Sequence, residues 1–288
     1  MSSTTSIGRV RSLTRHEMRR ASRGVAARAV FLAIPITLAA FLRDASDLAL
    51  QLGGRPSANG SEQAIPGMAC LVSFMTLIFI GYSLFGDHDS GMLARLRAVR
   101  VRPVELLASK GAVMFVHLLS QFVTIFALGM LVFGLHIEGS LLGLAAVIVA
   151  SSAMLVAYAF MAFAVSRSNA LYNVFCYLGS LAFTAIGGGL FPVAMLPGWA
   201  RSIAPASPAY WMMHGLQREI FGGDVAGLAK PLGALAAFTV GFLIVAALVY
   251  DPERPKESFH LCRSVGGSSP SVGMSRSASV PVSRFAVE

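Results

Sequence analysis

Ala64-Ile-Pro-Gly-Met-Ala-Cys-Leu-Val-Ser-Phe-Met-Thr-Leu-Ile-Phe-Ile-Gly-Tyr-Ser-Leu-Phe85 carries no charged side chain from end to end. A helix of about 20 consecutive apolar residues crosses the hydrocarbon core of a bilayer, so this stretch reads as a transmembrane helix. The whole chain has the same bias. Of its 288 residues 55% are hydrophobic and 13% charged, where soluble domains carry about 25% charged residues. The mean hydropathy is +0.68. A water-soluble fold of this composition would expose far too much apolar surface.

Working outward from 64–85, five further apolar stretches have similar length. On the N-terminal side, 25–42 is the first span; Arg28 sits at its start, where a long side chain snorkels to the headgroups, and Pro35 is tolerable inside a bilayer helix. A polar, Gly- and Ser-rich loop is expected over 43–63. On the C-terminal side the spans are 111–135, 141–165, 171–190 and 231–250. The expected fold is all-α and integral to the membrane, with six transmembrane helices making one permease domain over 25–250. Residues 1–24 are polar and basic, with Arg9, Arg11, Arg15, Arg19, Arg20 and Arg23 against the single acid Glu17. Val10, Leu13, Met18 and Ala21 give them a weak apolar stripe, as in a cytoplasmic amphipathic leader lying on the membrane surface. They do not read as a cleavable signal peptide. The tail, 251–288, lacks periodicity and reads as cytoplasmic and disordered.

The formal net charge is +9. Such an excess in a soluble protein points to nucleic acid, but here it lies between apolar spans. With the N-terminus in the cytoplasm, only Arg43, Arg55, Arg201, Arg218 and Lys230 fall outside, and the other 18 of the 23 Lys and Arg fall inside. The positive-inside rule then places both termini in the cytoplasm of a multi-pass cell-membrane protein and leaves no reason to expect nucleic acid. Of the three cysteines, Cys70 and Cys176 lie in apolar spans and Cys262 in the tail, a spacing that fits no metal, redox or disulfide pattern.

Two segments between spans carry the functional information. The first runs Gly86-Asp-His-Asp-Ser-Gly-Met-Leu-Ala-Arg-Leu-Arg-Ala-Val-Arg-Val-Arg-Pro-Val-Glu-Leu-Leu-Ala-Ser-Lys110. Asp87, Asp89 and Ser90 suit a helix N-terminus. Met92, Leu93, Leu96 and Val99 recur at helical spacing, with Arg95, Arg97 and Arg102 mostly on other faces. Pro103 breaks the pattern, and Glu105 opens the next helix. This describes a short amphipathic cytoplasmic helix. The second segment runs Gly187-Gly-Gly-Leu-Phe-Pro-Val-Ala-Met-Leu-Pro-Gly-Trp-Ala-Arg-Ser-Ile-Ala-Pro-Ala-Ser-Pro-Ala-Tyr-Trp211. It reads as short re-entrant helices dipping into the outer leaflet before the last span, with Trp199 and Trp211 at headgroup level.

Together these segments resemble the ABC type-2 permease family, the membrane subunits of ABC exporters. The residues that carry the resemblance are Asp87, Asp89, Gly91, Leu93, Leu96, Glu105, Leu106, Leu107 and Lys110 in the first segment. In the second they are Phe191-Pro192, Leu196-Pro197, Trp199 and Pro208 through Trp211. Arg100 departs from the pattern, standing where such proteins often have proline. The resemblance implies a permease dimer that binds ABC ATPase subunits on the cytoplasmic side. It also implies that Gly86–Arg102 couples the ATPase to the permease, with Asp87, Asp89, Gly91, Leu93, Arg95, Leu96, Arg102 and Glu105 at the contact.

The residues agree on one point. No Gly-x-x-x-x-Gly-Lys-Ser/Thr phosphate loop is present, so ATP hydrolysis is expected on a separate subunit. The chain itself is then not an enzyme and binds no cofactor; ATP and magnesium belong to the partner. Polar residues inside the spans point to a path or to packing. Asn173, Tyr177, Ser180 and Thr184 follow i, i+4, i+7, i+11 and are the expected transport path. His117, Gln121 and Thr124 form a second stripe, read as interhelical hydrogen bonding. No span has an acid in its middle, which disfavours an ion-coupled carrier. A neutral, partly apolar path suits efflux of a hydrophobic drug- or antibiotic-like compound. The alternatives are a lipid or surface-glycan exporter and, further off, an ion-coupled secondary transporter.

Overall fold

A computed structural model describes residues 25–52, 59–89 and 103–250. Every regular element among them is helical: α1 (Val25–Leu52), α2 (Ser61–Thr76), α3 (Ile78–Asp89), α4 (Pro103–Phe133), α5 (Leu141–Val165), α6 (Asn169–Ile186), α7 (Gly198–Ile203), α8 (Pro208–Ile220) and α9 (Ala229–Val249). The basic leader 1–24, most of the coupling segment (90–102) and the tail 251–288 lie outside the described residues.

Five helices among the described residues are long and apolar enough to cross a bilayer: Ser61–Gly86, Leu107–Phe133, Leu141–Val165, Asn169–Ile186 and Ala226–Val249. The sixth expected span, 25–42, lies inside α1 and is not one of the five. The loop expected over 43–63 is replaced in its first half by helix. α1 continues past Leu42 to Leu52, carrying Arg43, Asp44 and Asp47 on its second half. Arg43 and Asp44 are exposed there and Asp47 half-buried, so nothing in their surroundings ends the helix.

The helix starts follow local rules. The Ser140 hydroxyl accepts from Gly143 N–H at 3.3 Å to cap α5, and Ser168 caps α6 through Leu171 N–H at 3.2 Å. α4 begins at Pro103, whose fixed φ and missing donor suit a first helical position. α6 stops at Ile186, before the three glycines, rather than running to Leu190.

The span made by α2 and α3 is the centre of the assembly. It is 72% buried within the chain, against 6% for the last span, so α9 leaves most of its apolar surface uncovered by the rest of the chain. α2 packs on α1, α4, α6 and α8, while α9 lies along α5. Phe74 of α2 joins Tyr158 of α5 and Phe183 of α6, with ring centroids 5.6 and 5.7 Å apart, and Tyr158 meets Phe242 of α9 at 5.4 Å. In lipid the apolar effect does not hold helices together, and close contact between small residues does that work. Gly67 shows how close: a Cβ there would lie 1.9 Å from the carbonyl oxygen of Gly189.

Candidate functional site

Asp87 and Asp89 occupy the last turn of α3, not the first turn of a separate helix as their helix-capping chemistry led us to expect. The span helix simply continues through them, since Gly86 alone does not break it. Gly91, Leu93, Arg95, Leu96 and Arg102 lie outside the described residues, and Glu105 falls in the first turn of α4. α3 and α4 therefore bracket the basic segment. Lys110, 4% exposed, ties them together. Its Nζ donates to the Ser83 carbonyl at 3.3 Å and to the Ser83 hydroxyl.

Midway through the same span the helix is interrupted at Leu77. Leu77 N–H turns back to Phe74 O at 3.2 Å, a 3-10 bond, while Leu77 O accepts from Ile80 N–H at 3.1 Å and Gly81 N–H at 3.4 Å. A third donor enters from α6: Tyr172 Oη reaches Leu77 O at 2.7 Å. A side chain inserted into the backbone ladder is a recognised cause of a helix break. Next to it Thr76 Oγ1 lies 2.7 Å from Val72 O and 3.0 Å from Gln121 Oε1 of α4.

The expected path residues do not share one surface. Ser180 and Thr184 are buried against α2, with Thr184 Oγ1 donating to Cys70 Sγ at 3.8 Å. Asn173 is half-buried and its Nδ2 donates to Tyr82 Oη at 3.4 Å. Tyr177 is 51% exposed. The buried line on α6 is Tyr172, Cys176, Ser180 and Thr184, one residue every four. The sequence reading missed its first two members because Tyr and Cys look apolar, although spacing back from Thr184 picks them out. In the third span Gln121 bonds α2, while Thr124 Oγ1 turns to Ser120 O of its own helix at 2.7 Å. His117 is half-buried.

The broken segment is two short helices and 3-10 turns between α6 and α9. Phe191 and Trp199 are 51% and 68% exposed. Pro192 is half-buried, Pro197 exposed and Pro208 buried; Pro208 opens α8. Trp211 Nε1 donates to Pro205 O at 2.9 Å. Two polar ties that sequence reading did not find fix α8 on opposite sides. Gln63 of α2 is wholly buried; its Nε2 donates to Gly188 O at 2.8 Å, and Gln217 Nε2 donates to Gln63 Oε1. Glu219, also wholly buried, accepts from Ser140 N–H at 3.0 Å, and its backbone carbonyl accepts from Gly139 N–H at 2.8 Å. An acid at the N-terminus of α5 meets the positive end of the helix dipole. His214 stacks on Tyr210 with ring centroids 5.8 Å apart. Burial, and then the charge of Arg218, lower its pKa.

Among the described residues no group of His, Cys, Asp and Glu is placed to hold a metal ion. The described residues form a helix bundle whose central span is interrupted at Leu77. A model of the ABC-2 family transporter protein matches residues 46–248, more than half of the chain. No curated protein matches it. The chain belongs to the ABC-2 family of transporter proteins, as a multi-pass membrane permease of an ABC transporter.

Proposed function

We propose that this permease is half of an ATP-driven exporter, with six spans once α1 is counted and with both termini in the cytoplasm. It works as a dimer, with a separate subunit that binds ATP and magnesium and hydrolyses the nucleotide. The observation that carries the reading is the placement of the basic segment 90–102 between the ends of α3 and α4, inside a chain of this family. A push on that segment reaches the central span directly. Asp87, Asp89, Arg95 and Arg102 are the contacts we assign to it.

The cargo is a hydrophobic drug- or antibiotic-like compound. α6 carries no charged side chain; of its expected path residues Asn173 and Tyr177 stay accessible while Ser180 and Thr184 are buried, and a neutral, mostly apolar lining suits such a ligand. A glycan path would need aromatic side chains free to stack on sugar rings. Tyr172 is buried at the Leu77 break and Phe183 packs on Phe74 and Tyr158, which leaves fewer such rings on α6. The test is transport into inside-out vesicles holding the chain and its ATPase, with hydrophobic dyes set against a lipid-linked glycan. ATP-dependent uptake of the dyes is expected; uptake of the glycan alone would overturn the choice of cargo.

A further inference from the structure

We propose that Leu77 is the hinge of the second span and that Tyr172 and Gln121 are positioning residues that hold it in one of two arrangements, an inference that rests on the exporter reading above. The two halves of the span have different anchors. α2 is fixed at its outer end by Gln63 and by the close approach of Gly67 to Gly189. α3 runs into the basic segment and is tied to α4 through Lys110. Between them Leu77 is wholly buried, and its carbonyl is claimed by three donors, the N–H groups of Ile80 and Gly81 and the Tyr172 hydroxyl. A carbonyl oxygen has two lone pairs. The three donors therefore compete, and the longest of the contacts, Gly81 N–H at 3.4 Å, is the one that a regular helix would shorten. If α3 turns so that Gly81 N–H closes on Leu77 O, Tyr172 is displaced from it.

The surroundings allow that turn. The Tyr172 ring fills the notch left by Gly81, where a Cβ would lie 2.1 Å from it, so the ring slides against backbone rather than against a side chain. On the other side, Thr76 has one hydroxyl proton and two acceptors in reach, Val72 O and Gln121 Oε1. Gln121 is 8% exposed, and its Nε2 is buried with no acceptor. An unmet donor in a water-free interior is costly, and here it sits beside the break. It is the spare bond that a second arrangement uses when a carbonyl near Thr76 turns toward α4. Exchanging hydrogen bonds one for one keeps the two arrangements close in free energy, which a bistable element requires. Spans two, three and five meet at this point, so movement of the basic segment is passed to α6.

The test uses the full permease with its ATPase in vesicles. It compares wild type with Tyr172→Phe, Gln121→Leu and the double variant. Phenylalanine keeps the ring in the Gly81 notch, and Thr76→Val is the reserve variant should Gln121→Leu fail to insert. The readouts are dye molecules moved per ATP hydrolysed and the melting temperature of the purified permease. Each single variant is expected to lower transport per ATP about fivefold, the equivalent of one net hydrogen bond. The double variant should lose little more than either alone, because both act on one hinge. Unchanged transport per ATP beside active wild type, or losses that multiply in the double variant, would overturn the hinge. Wild-type vesicles without ATP-driven uptake would instead overturn the exporter reading, and the hinge with it.

Discussion

The two halves of the second span differ in how they are held. α2 meets its neighbours through buried side chains that reach backbone carbonyls, and through a glycine contact with no room for a methyl group. Gln63 bonds the Gly188 carbonyl, Gln217 bonds Gln63, and on the far side of α8 Glu219 bonds the start of α5. α3 is held by Lys110, which bonds Ser83, and by Phe85, whose ring meets Phe163 at 5.1 Å and Tyr172 at 6.0 Å. Its Tyr82 is 55% exposed and Phe79 41% exposed, and the contact of Tyr82 with Asn173 is 3.4 Å long. α2 is fastened through its neighbours' backbone, whereas α3 is held by one lysine and by aromatic packing.

Variants sharpen or break this contrast, and the largest effect belongs to the fastened half. Gly67→Leu drives a side chain into the Gly189 carbonyl and should cost about 3 kcal/mol or more, read as loss of folded permease on thermal unfolding in detergent. Glu219→Ala strips the Ser140 N–H of its acceptor in a buried place and should cost about 1–3 kcal/mol, with Glu219→Gln losing less because the amide oxygen still accepts. An unaltered melting temperature in Glu219→Ala would remove this tie from the account. For the charged residues at and after the end of α3 the effect should fall on coupling, not stability. Charge reversal at Asp89 or Arg95 should lower substrate-stimulated ATP hydrolysis about fivefold, within the usual range for coupling between sites, while the permease stays folded in the membrane.

The smallest effect is on pH. Burial and Arg218 hold the His214 pKa below its ordinary value, so the folded chain binds fewer protons there than the unfolded chain. Stability from this group is then complete above pH about 6.5 and falls as the pH drops through the lowered folded value. His214→Gln should flatten that part of the melting-temperature profile. A profile that keeps its slope would assign it to another group.

The sequence made some of this legible and hid the rest for physical reasons. Uniform apolarity sets the limits of α5 at Leu141–Val165, as read from the residues alone, and the Ser140 hydroxyl caps its start. The start of α4 at Pro103 falls within two residues of the reading at Glu105, whereas the run of α1 to Leu52 was not legible. Charged residues beyond the hydrocarbon core end the apolar signal without ending the helix. The polar ties were hidden more deeply. Gln63 and Gln217 are far apart in the chain, and no local period links an amide in one span to an amide in another. In the fifth-span stripe Ser180 and Thr184 are buried, and the residues that continue their line are Tyr172 and Cys176.

The central claim is that this permease moves a hydrophobic compound only when an ATPase partner drives it. The most direct measurement is uptake of a hydrophobic dye by inside-out vesicles that contain the permease with that ATPase, with ATP present or absent. The expected result is dye accumulation that needs ATP, needs both subunits and survives collapse of the proton gradient. Accumulation by the permease alone, driven by the proton gradient and indifferent to ATP, would contradict the account.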